Sequence, residues 1–402
     1  MKTLLFIIVS LWTCTAWAGC PDEKKTILRK VLTNLEGIET AVYNEQIKSW
    51  MPGDTLYREY FRLVKEYDNP ADSTIGASFV WWDASDTTLV QSCYDGTLYA
   101  SFYHKENGVV IDDFTTRNLP MRPISPPFFN YAKSIIRYIL NTTDSISVVC
   151  QESADDYHFK LTIYEDQQIE FFGAPFRMPK NPYIFDEPTS IYELSFRKSD
   201  YLPYKIRREM SHYTTESTYA NVEINRSQTK SISVYDFIPQ NYIIKKRGEK
   251  RNDHPAPSLL DQQAPGWTLN ETSGQTISLS DLKSKVIVMN FTGIGCGPCI
   301  MSIPFLNSIK ELFAVDDCEV ISVECWKNKM HSLCVYKDKN KINYKFVEGN
   351  DTIIEQYLNG NRGVPVFFIL DEKRIIKKVV NGYNPETTGK ELIEIIKAML
   401  SS

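Results

Sequence analysis

Histidine is scarce in this chain, with 5 among 402 residues, and no H-E-x-x-H spacing occurs, which excludes the zinc-protease pattern. A G-x-x-x-x-G-K-[ST] phosphate loop and a G-x-S-x-G nucleophile elbow are missing too. There is no basic excess: the net charge is −5, and removing residues 1–19, whose only charge is Lys2, leaves 44 basic against 50 acidic side chains. Nucleic-acid binders are usually basic, so no nucleic-acid partner is expected. Beyond the first twenty residues no apolar run approaches the roughly 20 residues of a spanning helix. The nine cysteines are too sparse for a disulfide-stapled scaffold. What remains is globular: 43% hydrophobic, 24% charged and 12% aromatic, enough for two or three domains.

The N-terminus reads as an export signal over residues 1–19, because Lys2 precedes an apolar stretch at 4–11 and small residues follow. Two processings are open. Ala16-Trp17-Ala18 fits an A-x-A cleavage site before Gly19, giving plain secretion. Trp17-Ala18-Gly19-Cys20 resembles a bacterial lipobox, which makes Cys20 a lipidated N-terminus and the anchor to a membrane. The expected location is the cell envelope, facing the periplasm.

Residues 248–265 are polar, carry Pro255, Pro257 and Pro265, and have no helical or strand period, so they read as a linker. Before it, residues 20–247 form an expected β-rich domain. A helix is expected over 27–42 and another over 128–140, from apolar residues three and four apart. Between and after them lie short aromatic and β-branched segments at 77–82, 98–103, 158–164, 169–172, 192–197, 204–209 and 231–235. These imply an α+β domain, a large curved antiparallel sheet with helices. Asp95-Gly96 and Leu202-Pro203-Tyr204 give it a faint resemblance to the half-barrel domains of periplasmic lipoprotein carriers, which implies an apolar ligand. Trp81, Trp82, Phe128, Phe129, Phe171 and Phe172 either line such a cavity or fill the core. Arg207-Arg208 and Lys245-Lys246-Arg247 read as solvated faces.

After the linker the pattern changes to strand (286–291), Gly-bearing turn, Cys296-Gly297-Pro298-Cys299, and a helix to about residue 313. Strands at 320–324, 366–370 and 375–380 and a helix at 389–400 complete an α/β thioredoxin fold. Two cysteines three apart at a helix start lie close enough to bond. The first also meets the free N–H groups of the helix, which favour its thiolate. Alone, C-x-x-C is equally half a zinc site or a staple. Cys318, Cys325, His331 and Cys334 match no zinc signature, although Cys325 is a candidate extra redox thiol.

Residues 256–402 resemble the TlpA-like thiol:disulfide oxidoreductases, of the TlpA and ResA type within the redoxin/thioredoxin superfamily. The resemblance rests on Ala264-Pro265-Gly266-Trp267-Thr268-Leu269, Gly274, Leu279-Ser280-Asp281-Leu282-Lys283, the strand before CGPC, Pro304 and Gly363-Val364-Pro365. It implies Cys296 as attacking thiol, Cys299 as resolving thiol, a cis-proline at Pro365, and a substrate edge formed by Val364, Pro365, Gly297 and Pro298. It implies a helix and strand inserted over about 326–350. It further implies protein thiol or disulfide substrates, an envelope electron donor, and no cofactor or metal besides the Cys296–Cys299 disulfide.

The departures are Gly295 for a usual tryptophan, Ser302 for the acid of an E-x-P element, and Asn290 for a buried acid; Glu324 is a candidate substitute proton acceptor. Two other readings stand beside this one. A redoxin-type thiol peroxidase usually has Thr three residues before its cysteine, where Gly293 stands. A lipid- or lipoprotein-binding protein would carry CGPC as a vestige.

Overall fold

A computed structural model of the chain describes residues 22–51, 54, 56–116, 122–178, 189–211, 213–227, 231–249 and 259–401. The expected signal segment, Cys20 and residues 250–258 of the expected linker lie outside the described residues.

The first helix, α1 (Asp22–Glu36), starts with two acidic residues at the positive end of its dipole and buries Leu28, Val31 and Leu35. It stops six residues earlier than its apolar pattern suggested. From Thr40 the burial period is two, with Ala41, Tyr43, Glu45, Ile47 and Ser49 inward, so the chain continues as a strand. That strand is β1 (Thr40–Trp50), followed by β2 (Arg58–Asp68), β3 (Ala77–Asp83), β4 (Val90–Tyr94), β5 (Tyr99–Tyr103) and β6 (Gly108–Asp112). Helix α2 (Phe128–Asn141) precedes β7 (Ile146–Glu152), β8 (Asp156–Ile163), β9 (Ile169–Phe172), β10 (Ala174–Arg177), β11 (Ser190–Arg197), β12 (Pro203–Met210), β13 (Tyr213–Ile224) and β14 (Ile243–Lys246).

Twelve of these strands form one sheet in the order β14-β6-β5-β4-β3-β2-β1-β13-β12-β11-β8-β7. Every pairing in it is antiparallel except the edge pair β14–β6. Helices α1 and α2 bury their apolar faces in one core with Tyr43, Phe159, Tyr192 and Phe196 of the sheet.

Two segments differ from the sequence expectation. Strand β9 pairs only with β10, outside the large sheet. Residues 234–237 are a 3-10 turn, because Ser233 Oγ accepts from the Tyr235 N–H while Asp236 accepts from the Ser233 N–H, a reciprocal cap that ends extended structure. Phe128, Phe129 and Phe171 are core residues, and Trp81 stacks between Phe79 and the Arg62 guanidinium. Arg208 is not on a solvated face; it pairs with Glu170 beneath α2.

The C-terminal part has the hairpin β15 (Thr268–Asn270) and β16 (Thr276–Ser278), then β17 (Val286–Thr292), α3 (Gly297–Leu312), β18 (Cys318–Glu324), α4 (Met330–Lys339), β19 (Lys345–Glu348), α5 (Asp351–Leu358), β20 (Val366–Leu370), β21 (Ile376–Asn381) and α6 (Thr388–Leu400). The five-stranded sheet has the order β19-β18-β17-β20-β21, parallel over its first three strands and antiparallel over the rest. This is a thioredoxin fold, and α4 with β19 is the inserted helix and strand.

Strand β17 is buried along its whole length. Val286 and Val288 point to the core under α3 and α6, while Ile287, Met289 and Phe291 point to the core with α5 and β15. A central strand covered on both faces has a continuous apolar run for this reason. At roughly 1.5–3 kcal/mol per buried aliphatic side chain, these residues fix the register of the strand that delivers Cys296.

Candidate active site

The C-terminal ends of β17 and β18 open on one edge of the sheet, and pairing of Phe291 with Val366 brings the start of β20 to the same edge. Three loops therefore meet there: 293–296, 325–328 and 361–365.

Cys296 caps α3, and its Sγ accepts the Cys299 N–H at 3.3 Å. Pro298 occupies the first turn, where an N–H has no helical acceptor. Cys296 and Cys299 are joined as a disulfide with Cα atoms 5.2 Å apart. Cys299 is 1% exposed and Cys296 6%, while Gly295 is exposed and Gly297 and Pro298 are half-buried. An incoming group thus meets Cys296 first.

The Val364–Pro365 peptide is cis, and the Val364 carbonyl oxygen lies 3.6 Å from Cys296 Sγ. Pro365 is buried and Val364 half-buried. The structure accordingly brings together all six residues that the resemblance pointed to: Cys296, Cys299, Gly297, Pro298, Val364 and Pro365.

Trp326 is a site residue that the sequence reading missed. Its indole Nε1–H donates to the Arg362 carbonyl at 3.0 Å, and its ring lies over Gly293, where an added Cβ would fall within 2.5–2.7 Å of ring atoms. One side chain thereby ties the loop before Cys296 to the loop before Val364. The available signal was Gly293 three residues before the cysteine, a position that needs the space a side chain would take.

Glu324 ends β18 beside the 325–328 loop. It is fully buried, and its carboxylate accepts from the Trp326 N–H at 3.0 Å, the Asn328 N–H at 3.0 Å and the Asn328 side-chain amide at 2.6 Å. Those bonds fold the 325–328 loop. Asn290 donates to Ser322 Oγ at 2.9 Å while its buried Oδ1 has no protein partner, and Ser302 Oγ–H donates to the Cys299 carbonyl at 2.7 Å.

Cys325 is buried too, and burial followed by the Glu324 charge pushes its thiol up to about 12, which disfavours the thiolate that an extra redox thiol needs. Cys318 is raised likewise to about 12. Cys318 starts β18 and Cys325 follows its end, so they do not share a site. Among the described residues no group of three or more His, Cys, Asp or Glu is placed to hold a metal.

Residues 260–379 match the AhpC/TSA family. The thiol-disulfide oxidoreductase ResA of Geobacillus thermodenitrificans is 25% identical over 137 residues, spanning 33% of this chain and 76% of that protein. ResA of Bacillus subtilis is 27% identical over 135 residues, 33% of this chain and 74% of that protein. The C-terminal third is similar to thiol-disulfide oxidoreductases.

Among solved structures, a thiol:disulfide interchange protein from a Bacteroides species aligns with TM-score 0.32 and 19% identity, covering 36% of this chain and 93% of that one. The thioredoxin domain of a thiol-disulfide oxidoreductase from Bacteroides vulgatus aligns with TM-score 0.30 and 18% identity, covering 34% and 97%. The family match at residues 260–379 spans the CGPC motif and the Val364–Pro365 loop.

Proposed function

We propose that the protein reduces disulfide bonds in protein substrates, with Cys296 attacking and Cys299 resolving. The observation that carries this reading is a C-x-x-C disulfide at a helix N-terminus beside an accessible main-chain edge at Val364. In the dithiol form, the Cys296 thiolate attacks one sulfur of a substrate disulfide and releases the other as a thiolate. Cys299, deprotonated, then attacks the Cys296 sulfur of the mixed disulfide. The second substrate thiolate leaves, two electrons have passed to the substrate, and the domain is left as the Cys296–Cys299 disulfide. A dithiol donor in the envelope restores it. The pair itself is the redox group, with no other cofactor.

The Val364 main chain is the edge against which an extended substrate segment lies, in the manner of strand addition. The peroxidase reading lacks support, since Gly293 takes the threonine position and lies under Trp326. The lipid-binding reading loses its main ground because Phe128, Phe129 and Phe171 are consumed by the core.

The proposal also includes the processing of the chain. Residues 1–19 act as a signal, Cys20 carries the lipid that holds the protein on a membrane facing the periplasm, residues 20–247 form the first domain, 248–265 the linker and 256–402 the redox domain. Among the described residues no helix is long and apolar enough to cross a membrane. A Cys299→Ala variant tests the exchange directly. Incubated with a disulfide-bearing protein, it should accumulate a mixed disulfide through Cys296, identified by mass spectrometry; adducts at other cysteines instead would refute the assignment.

A further inference from the structure

Arg58, the first residue of β2, reaches from the N-terminal sheet to the redox domain, where its guanidinium donates to Asn328 Oδ1. Asn328 is 2% exposed although Arg58 lies at the surface, so the guanidinium closes over an amide that is otherwise inside the protein. The other end of that amide is already engaged. It donates to Glu324 at 2.6 Å, and the same carboxylate accepts the Trp326 N–H at 3.0 Å. Trp326 in turn donates its indole N–H to the Arg362 carbonyl at 3.0 Å, two residues before Val364. A continuous chain therefore runs Arg58, Asn328, Glu324, Trp326, Arg362, from the sheet to the main-chain edge beside Cys296. A second contact supports it. Helix α4 begins at Lys329 with no side-chain cap and no acid in its first turn, and Asp54 brings a carboxylate there, accepting from the Ser332 hydroxyl at 3.0 Å.

We infer that Arg58 is a positioning residue of the redox site: through Asn328 it holds the 325–328 loop, and through Trp326 that loop holds the Val364 edge on which a protein substrate lies. This inference rests on the proposed reductase activity and makes the N-terminal sheet a working part of the site. The loop needs an outside hold because of its own backbone. Lys327, between Trp326 and Asn328, sits at φ +58°, a left-handed conformation that a lysine keeps only where its surroundings impose it. On the redox-domain side Lys327 and Arg362 both pair with Asp351, and Arg362 also donates to the Cys325 carbonyl. Arg58 supplies the hold from the opposite domain. Without it, Asn328 Oδ1 loses its charged donor inside the protein, the strained turn has less to keep it in place, and Trp326, one residue before Lys327, moves with it.

The test is a double-mutant cycle in the full chain, read as reduction of an unstructured peptide disulfide. Arg58→Met, which keeps an unbranched apolar stem without the donor, should lose about fivefold in kcat/KM, mainly through KM. Trp326→Phe, which keeps a ring over Gly293 but has no N–H for Arg362, should show a similar loss. Arg58→Met in the Trp326→Phe background should add nothing further, because both act through one chain of bonds. The pH profile of Cys296 alkylation by iodoacetamide should be the same in Arg58→Met as in the unaltered protein. An unchanged kcat/KM in Arg58→Met, or losses that multiply in the double variant, overturns the inference while leaving the reductase reading intact. A shifted alkylation profile overturns it too, because Arg58 would then act on the thiolate by its charge. Failure of the unaltered chain to reduce the peptide defeats the reductase reading and this inference with it.

Discussion

At the residue scale, what separates one cysteine from another is access to the N–H groups of a helix. Cys93, Cys318 and Cys325 are buried, and burial pushes each thiol up to about 12. The Cys296 sulfur, at the cap of α3, already accepts the Cys299 N–H, an arrangement that favours a thiolate. In the reduced, folded protein, iodoacetamide at pH 7 should therefore modify Cys296 first and spare those three; mass spectrometry of the labelled chain reads this out, and equal labelling of Cys325 would contradict it.

Glu324 gives a second residue-scale outcome. Its carboxylate receives only donors from the 325–328 loop, so Glu324→Gln turns an N–H2 group toward a donor and should cost about 1–3 kcal/mol of stability. The pH profile of disulfide reduction should keep its shape, since a carboxylate held by those three donors is a poor proton acceptor for Cys299. A displaced pH optimum would restore that role.

At the scale of elements, the redox loop depends on three loops being held at one sheet edge. Trp326 spans two of them, so Gly293→Ala, whose methyl would enter the indole ring, should displace Trp326 and lower the rate of protein-disulfide reduction severalfold. Gly295→Ala meets only ordinary contact with Met51, yet it must hold φ +85°, a strain of about 1 kcal/mol. Measured melting temperatures and rates for the two variants separate a steric clash from backbone strain.

The redox elements were legible in the sequence because their signals are local. The apolar run of β17, the CGPC turn and Pro365 each sit within a few residues of what they do. Trp326 was not legible, because its partners Gly293 and Arg362 lie over thirty residues away on either side and are brought to it only by the strand order. The β1 strand was hidden for another reason: apolar Val42 and inward-facing Glu45 break the alternation of Ala41, Tyr43 and Ile47, which follow directly on a helical apolar pattern, and only Gly37 marks the change. Residues 231–235 carry β-branched composition, but the Ser233–Asp236 cap decided them.

At the scale of the whole molecule, the N-terminal domain carries a pH dependence of its own. Glu66 is buried under the start of α2, where it accepts from the Tyr43 hydroxyl at 2.6 Å and the Phe129 N–H at 3.2 Å. Burial outweighs those bonds and raises its carboxyl from 4.5 to about 7. The folded chain thus holds this proton more tightly than the unfolded one. The stability it contributes is full below pH 4.5 and is lost as pH rises through 7, on the order of 3 kcal/mol in all. Glu66→Gln keeps an acceptor toward Tyr43 and Phe129 and should flatten that slope in urea unfolding between pH 5 and 8; an unaltered slope would assign it to other groups.

Anchoring belongs to this scale as well. The mature protein should partition into detergent with a diacylglyceryl mass on Cys20, two chains being enough for stable attachment where one is marginal. An unmodified mature N-terminus at Gly19 would make it a soluble exported protein. The reductase claim itself is met most directly by insulin reduction with dithiothreitol as the electron source. The account predicts that the full chain accelerates it, that Cys296→Ser and Cys299→Ser lose the acceleration, and that Cys93→Ser and Cys150→Ser retain it; full activity in Cys296→Ser would contradict it.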